Sequence, residues 1–445
     1  MSTRPRLDPA VLKLAGILVL GAVAPLLDST IVSIALHTLG RDLNAPTATV
    51  QWVSTAYLLA LASVVPVSAW AAERYGARRV WLGSLGLFLV GSVLCGLAWN
   101  IGSLVVFRVV QGVGGGMLLP VLQTLVMRAA GGRNLGRLMA VITLPALLGP
   151  ILGPVLGGLI VGHLSWRSIF YVNLPLGLLA LALAHRGVPK DNPRPGHRLD
   201  VTGLLLLSPG LAVLVYGLTE TGVARAAAVP LGAVLVAAFA AHALRSTRPL
   251  VDLRLFRDRA FSTASVLMFL NGLALYGGMF LLPLYYQQER GESVVAAGLL
   301  LAPQGLGSLL SRATGPLTDR IGPRPVALGG MLLSALGTFP FALPHPTAAL
   351  LPVALVVRGL GMSAANLAVN VGAYRHLSPD RLPHASAAVR IVQQLGGSFG
   401  TAVLAAVLAH GGFSSAFAWS TAFTILAALV GLRLPIGVAS AGAHP

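Results

Sequence analysis

The stretch Leu144–Gly158, LPALLGPILGPVLGG, places Pro145, Pro150 and Pro154 inside a run that carries no charge from Leu138 to Val161. In water each interior proline would cost a helix about 3 kcal/mol. In a bilayer an unpaired carbonyl is worse than a bend, and neighbouring helices re-satisfy the freed group, so the helix persists. Gly149, Gly153 and Gly157 recur at every fourth residue and share one face, which lets a second helix approach closely. Pro150, Pro154 and Gly158 keep the same spacing, about 100° further round. The stretch predicts a kinked membrane helix with one smooth, groove-like side. Taken alone, ordinary packing between small residues asks for the same pattern.

The rest of the chain is built for the same solvent. Of its 445 residues 56% are hydrophobic and 10% charged, and the mean hydropathy of +0.81 is outside the soluble globular range. Its 52 glycines and 29 prolines lie within apolar runs, as membrane helices permit. The single cysteine, Cys95, rules out an intramolecular disulfide. The polar start MSTRPRLDPAVLK has no small-residue cleavage site and reads as a cytoplasmic tail rather than a signal peptide.

Apolar segments of roughly 18 residues or more fall at about 14–38, 50–72, 79–99, 101–126, 137–162, 168–185, 200–219, 226–244, 260–286, 294–315, 326–344, 348–373, 387–410 and 415–435. These fourteen predicted spans put both termini on one side. Most Lys and Arg residues then fall in loops after even-numbered spans or in the tails. The exceptions are Arg41, Arg167, Arg225 and Arg290, with Arg108 and Arg358 inside spans. That bias places both termini in the cytoplasm. It also accounts for the net charge of +18 as topological, so no nucleic-acid partner is expected.

A weak internal repeat is readable. Segments 69–79 (AWAAERYGARR) and 315–325 (GPLTDRIGPRP) each put an acid, an Arg, an apolar residue and Gly ahead of a span. Arg108–Gly112–Gly114 pairs loosely with Arg358–Gly359–Gly361. Duplicated six-helix halves, 1–186 and 260–445, account for both, with a linker and two inserted helices at 187–259 between them.

Several stretches carry a family resemblance. GPxxGPxxGG, through Gly149, Pro150, Gly153, Pro154, Gly157 and Gly158, resembles the antiporter motif of drug:proton antiporters in the major facilitator superfamily. The closer match is the fourteen-helix branch of the EmrB/QacA type. The loop with Glu73, Arg74, Gly76 and Arg78 resembles the superfamily's GxxxDRxGRR motif, with Ala69 for its first glycine, Glu73 for aspartate and Ala77 for one arginine. The second copy keeps Asp319, Arg320, Gly322 and Arg324. Either copy alone is also a plain solvated turn; two copies at equivalent places imply a cytoplasmic latch. FRVVQGVGGG (107–116) resembles the family's RxxxG motif, and LDSTIVSIALH (27–37) its LDxTIVNVALP signature, with Ser33 for Asn and His37 for Pro. QWVSTAY (51–57), SWRSIFYVNLPLG (165–177), LDVTGLLLL (199–207) and QQLGGSFGTAV (393–403) extend the coverage.

Asp28 is the only acid well inside a predicted span. Fifteen residues past Lys13, at about 1.5 Å each, it lies about 22 Å along the first helix, past the midplane of a core about 30 Å thick. A carboxylate or guanidinium at that depth needs a partner or a hydrated cavity and is functional by default. Asp28 and Arg108 are the expected proton-coupling pair. Tyr57, Gln123, Asn271, Tyr276, Asn366, Asn370 and Gln393 are polar or amphipathic side chains within spans; each singly suits interhelical bonding, and some are expected to line a cargo cavity.

The expectation is an all-α polytopic membrane protein of the major facilitator fold, with fourteen transmembrane helices. The resemblance implies proton-coupled antiport in the cell membrane, exporting lipophilic, cationic or neutral small molecules by alternating access. The alternative is export of a specific physiological lipid, metabolite or self-made antibiotic. The proton gradient would supply the energy, since no GxxxxGK[ST] loop is present, and no cofactor is expected. The scattered histidines argue against a metal site and a membrane enzyme, and no filter loop suggests a channel.

Overall fold

The computed structural model describes residues 9–130, 152–189, 191, 199–219, 222–247, 249–374 and 382–434, and among them it is helical with no strand. The first half holds α1 (Pro9–Asp42), α2 (Trp52–Tyr75), α3 (Ala77–Gly96), α4 (Ile101–Ala130), α5 (Leu152–His163) and α6 (Asn173–Gly187). Then come α7 (Val201–Thr219) and α8 (Gly222–Arg245). The second half holds α9 (Arg259–Leu284), α10 (Val294–Leu310), α11 (Pro323–Thr338), α12 (Leu350–Tyr374) and α13 (Leu382–Gly431). Helices run through Pro25, Pro66, Pro120, Pro209, Pro230 and Pro303, as a non-aqueous solvent demands.

Eleven helices among the described residues are long and apolar enough to cross a membrane, and the apolar helices Leu152–His163 and Val201–Gly217 are shorter. The spans expected at 387–410 and 415–435 form one continuous run that breaks at Gly412, where φ is 71°. Only the second part of the span expected at 137–162 is described, so Gly149 and Pro150 lie outside the described residues. The span expected to end near 286 continues as a π-helix over Tyr285–Glu289.

The core is divided unevenly. At the end away from the basic loops, one buried cluster spans both halves, from Ile31, Ile34 and Leu36 of α1 to Phe280, Leu284, Phe341 and Phe417. Tyr285 sits among Phe341, Phe413 and Phe417 at centroid distances of 5.5, 5.7 and 5.6 Å. Toward the basic end the clusters separate. One gathers Leu18, Trp81, Phe88 and Leu122 of the first half. The other gathers Phe261, Met268, Val326 and Val369 of the second, with Leu59 and Val65 of α2 and Val215 of α7. The halves therefore share the large outer cluster and, toward the basic end, a second contact in which α2 packs on the core of the second half.

Candidate functional site

Glycines in α4 bring the polar residues of the first half together. A Cβ on Gly112 would stand 2.8 Å from the Tyr57 carbonyl of α2, and one on Gly114 2.8 Å from Phe88 Cα of α3. Close backbone approach is what such small residues allow. It draws α2, α3 and α4 tightly around α1.

Three helices meet on one carboxylate there, and two more join through its partners. Asp28 of α1, 0% exposed, receives Arg108 Nη1 of α4 on Oδ2. Its Oδ1 accepts from Gln111 Nε2 and from Asn173 Nδ2, each at 3.0 Å. Both amides also reach Ser92 Oγ of α3, at 2.8 and 3.2 Å. Arg108 donates further to Gln111 Oε1 at 2.6 Å and, through Nε, to the Val53 carbonyl at 3.0 Å. Its guanidinium lies 3.9 Å from the Tyr57 ring centroid, a cation–π arrangement. The Tyr57 hydroxyl donates to the Pro25 carbonyl at 3.3 Å.

Every member of this network is buried, so each charge depends on its partner. Removing one side of a buried ion pair leaves the other charge uncompensated. Protonating Asp28 would do that to Arg108, leaving it Gln111, Val53 and the Tyr57 ring. The arrangement is thus able to convert one proton into a rearrangement of contacts among α1, α2, α4 and α6.

The small-residue motif on α5 lies beside this network. A Cβ on Gly153 would land on Thr30 Oγ1, and one on Gly157 would stand 3.0 Å from the Ile31 carbonyl, both just past Asp28 on α1. Gly158 faces the second half instead, where a Cβ would meet the Val294 carbonyl at 2.8 Å; the Pro154 carbonyl abuts Gly298 of α10. The two stripes therefore serve two partners: one packs on α1, the other on α10.

At the basic end, Gly76 and Gly322 precede α3 and α11 with φ of 91° and 87°, a backbone region where only glycine is unstrained. These are the two repeat positions. The carboxylate on the first backbone N–H groups of α3 is Asp191's: Ala77 N donates to Oδ2 at 2.5 Å and Arg78 N to Oδ1 at 3.3 Å. Asp191 also pairs with Arg128 Nη1 at 3.4 Å, and the Arg78 guanidinium donates to the His185 carbonyl. Asp191, and not Glu73, thus supplies the carboxylate at these backbone groups; Glu73, Arg74 and Arg320 are exposed and Arg324 is half-buried. The Asp319 side chain lies outside the described residues.

The seven residues expected at a cargo cavity are spread over both halves. Tyr57, 1% exposed, belongs to the Arg108 network, and Asn271, 7% exposed, to the interior of the second half. Asn370 Nδ2 donates to the Asn366 carbonyl at 2.8 Å, and Gln123, Tyr276, Asn366, Asn370 and Gln393 are half-buried. A cleft of about 240 Å³ opens between α1 and α9 at the end away from the basic loops, lined by Leu36, His37, Phe280 and Leu284 among others and by none of the seven.

Sequence reasoning missed Asn173, Ser92 and Asp191. Asn173 had a signal, an amide inside an apolar span. Ser92 had none, and nothing in the sequence ties Asp191 to a turn more than a hundred positions away.

An all-helical bundle with a repeated turn and a buried ion pair is the construction of a transporter. The chain belongs to the Major Facilitator Superfamily, which it matches over residues 18–401 and 306–441; it is a multi-span membrane transporter and not an enzyme. It is 43% identical over 418 residues to the Multidrug resistance protein B homolog of Mycobacterium tuberculosis, covering 91% of this chain and 77% of that protein. It is 30% identical over 401 residues to the MFS-type transporter YhcA of Bacillus subtilis, covering 88% and 75%. The fold is similar to a POT family transporter solved with a thioalcohol-conjugated peptide, at TM-score 0.74 and 16% identity over 94% of this chain and 95% of that one.

Proposed function

We propose that the protein is a proton-coupled antiporter of the fourteen-helix drug-export branch, moving lipophilic, cationic or neutral small molecules out of the cell by alternating access. The relatives named for multidrug resistance support the export reading. The Asp28–Arg108 pair, closed by Gln111 and Asn173, is the observation that carries proton coupling. Both termini are cytoplasmic in this reading, on the charge bias of the loops, and the basic end is the inner one.

The chain's own groups act in sequence. With the outer end open, water reaches Asp28 and a proton loads onto its carboxylate. Arg108 then relaxes toward Gln111 Oε1 and Val53, α1 shifts against the α5 glycines, and the α5–α10 contact re-forms as the outer end closes. Cargo arriving from the inner side favours proton release, and the pair recloses. The two fluxes are coupled because one carboxylate serves both.

The test is dye transport by the reconstituted full chain under an imposed pH gradient. Asp28→Asn is expected to abolish gradient-driven transport and to leave binding of a neutral dye in place. Gradient-driven transport at the wild-type rate in Asp28→Asn would refute the coupling.

A further inference from the structure

The second half carries a buried guanidinium without a carboxylate. Arg358 of α12 is 1% exposed. It donates to Thr338 Oγ1 at 3.2 Å, Gln304 Oε1 at 2.7 Å and the Ala274 carbonyl at 2.9 Å. All three acceptors are neutral, and no acid among the described residues pairs with it. The first half differs, since Asp28 compensates Arg108 there. On α9 the position against Arg358 Nη2 is Gly278, where a Cβ would land on that nitrogen, so this helix offers no counter-charge.

Beside Arg358 lies a small cavity within the second half. Ala274, whose carbonyl Arg358 holds, lines it together with Asn271, Ser334, Met362 and Thr424. Ser334 and Met362 stand one helical turn from Thr338 and Arg358 respectively. The Thr338 hydroxyl donates to the Ser334 carbonyl at 2.7 Å, which ties the cavity wall to the group Arg358 binds. Asn271 and Ser334 are 7% and 2% exposed, and Asn271 Nδ2 and Ser334 Oγ have no hydrogen-bond partner. Buried polar atoms of this kind call for an occupant.

The chemistry of the walls selects among occupants. Asn271 and Ser334, whose unpartnered amide and hydroxyl can both donate, line a cavity whose Ala274 wall is held by the uncompensated Arg358. A water would satisfy the donors and leave the charge. An acceptor bearing negative charge satisfies both, because charge-assisted hydrogen bonds are the stronger ones. The cavity measures about 10 Å³, room for a single atom-sized occupant, which excludes a carboxylate. The flexible thioethers of Met331 and Met362 let the wall fit an ion slightly larger than water.

We propose that this cavity binds a monatomic halide, chloride in the cell, which gives the second half the counter-charge that Asp28 gives the first. The site is independent of the proposed cargo and of proton coupling.

Thermal unfolding of the purified full chain tests it without any transport assay. Sodium gluconate is replaced stepwise by sodium chloride or bromide at constant ionic strength. The expected result is a saturable rise in Tm with either halide, abolished in Asn271→Leu and shifted to at least tenfold higher halide in Ser334→Ala. Superimposed gluconate and halide curves would mean a water-filled cavity and overturn the proposal. So would a halide response of unchanged midpoint in Ser334→Ala, a one-atom change that carries the test if Asn271→Leu does not fold.

Discussion

Gly158 of α5 and Gly298 of α10 face each other across the junction between the halves: a Cβ built on the first would stand 3.4 Å from the Cα of the second, and the reverse 3.3 Å. The adjacent α5 stripe packs on α1 just past Asp28. One helix therefore touches both the ion-pair segment and the opposite half. That position makes it one route, beside the direct contact of α1 with the second half through Ile34 and Gln287, by which a change at Asp28 can reach the contact between halves.

Gly158→Leu should hold α5 and α10 apart, with an overpacking cost of about 1–3 kcal/mol. Dye efflux is expected to fall at least tenfold while the protein inserts and accumulates normally. Gly157→Leu, against the Ile31 carbonyl, should act in the same direction. Efflux per inserted protein checks both.

Asn173 and Asp28 belong to one network, so their substitutions should not add. A double-mutant cycle of Asp28→Asn with Asn173→Ala, read by unfolding in detergent, is expected to give a coupling energy of about 0.5–3 kcal/mol. Additive single effects would place Asn173 outside the network. Ser92→Ala removes one neutral acceptor and should cost about 1 kcal/mol.

Asp191→Ala removes the carboxylate from the α3 N-terminus, where such a group is worth about 0.5–2 kcal/mol. Transport should slow with cargo affinity unchanged, because the change perturbs the balance between conformations rather than the site. Glu73→Gln should be milder. Kd and transport rate, measured side by side, separate these outcomes.

Asp200 clasps the inserted pair, accepting from Gly203 N at 2.8 Å and Leu250 N at 2.9 Å and pairing with His242 Nε2 of α8 at 2.7 Å. Burial works to raise its carboxyl, but the Gly203, His242 and Leu250 hydrogen bonds outweigh it and hold the group below the usual carboxylate range. A depressed folded value means the stabilisation is full above the unfolded value of about 3.9 and is lost as pH falls through the folded one. Asp200→Asn should therefore lower Tm at pH 7, and its difference from wild type should shrink as the pH drops below about 4. Tm measured against pH in both proteins checks this.

The order of amino acids is enough to make this chain a helical membrane transporter. Apolar runs of spanning length, prolines tolerated inside them and a repeated Gly-containing turn are local or periodic features, and the solvent they require follows from composition. Asp28 and Arg108 also stand out along the chain, because a charge inside an apolar span is too costly to keep without a role. Which groups share that charge is a matter of three-dimensional packing. Asn173 reaches Asp28 and Asp191 reaches Gly76 by long-range contacts, which leave no spacing to read along the chain. Packing likewise assigned the two α5 stripes to different partners, and it put Tyr57 against Arg108 and Asn271 inside the second half. Periodicity tells which residues share a helix face, while what that face meets depends on how several helices pack at once.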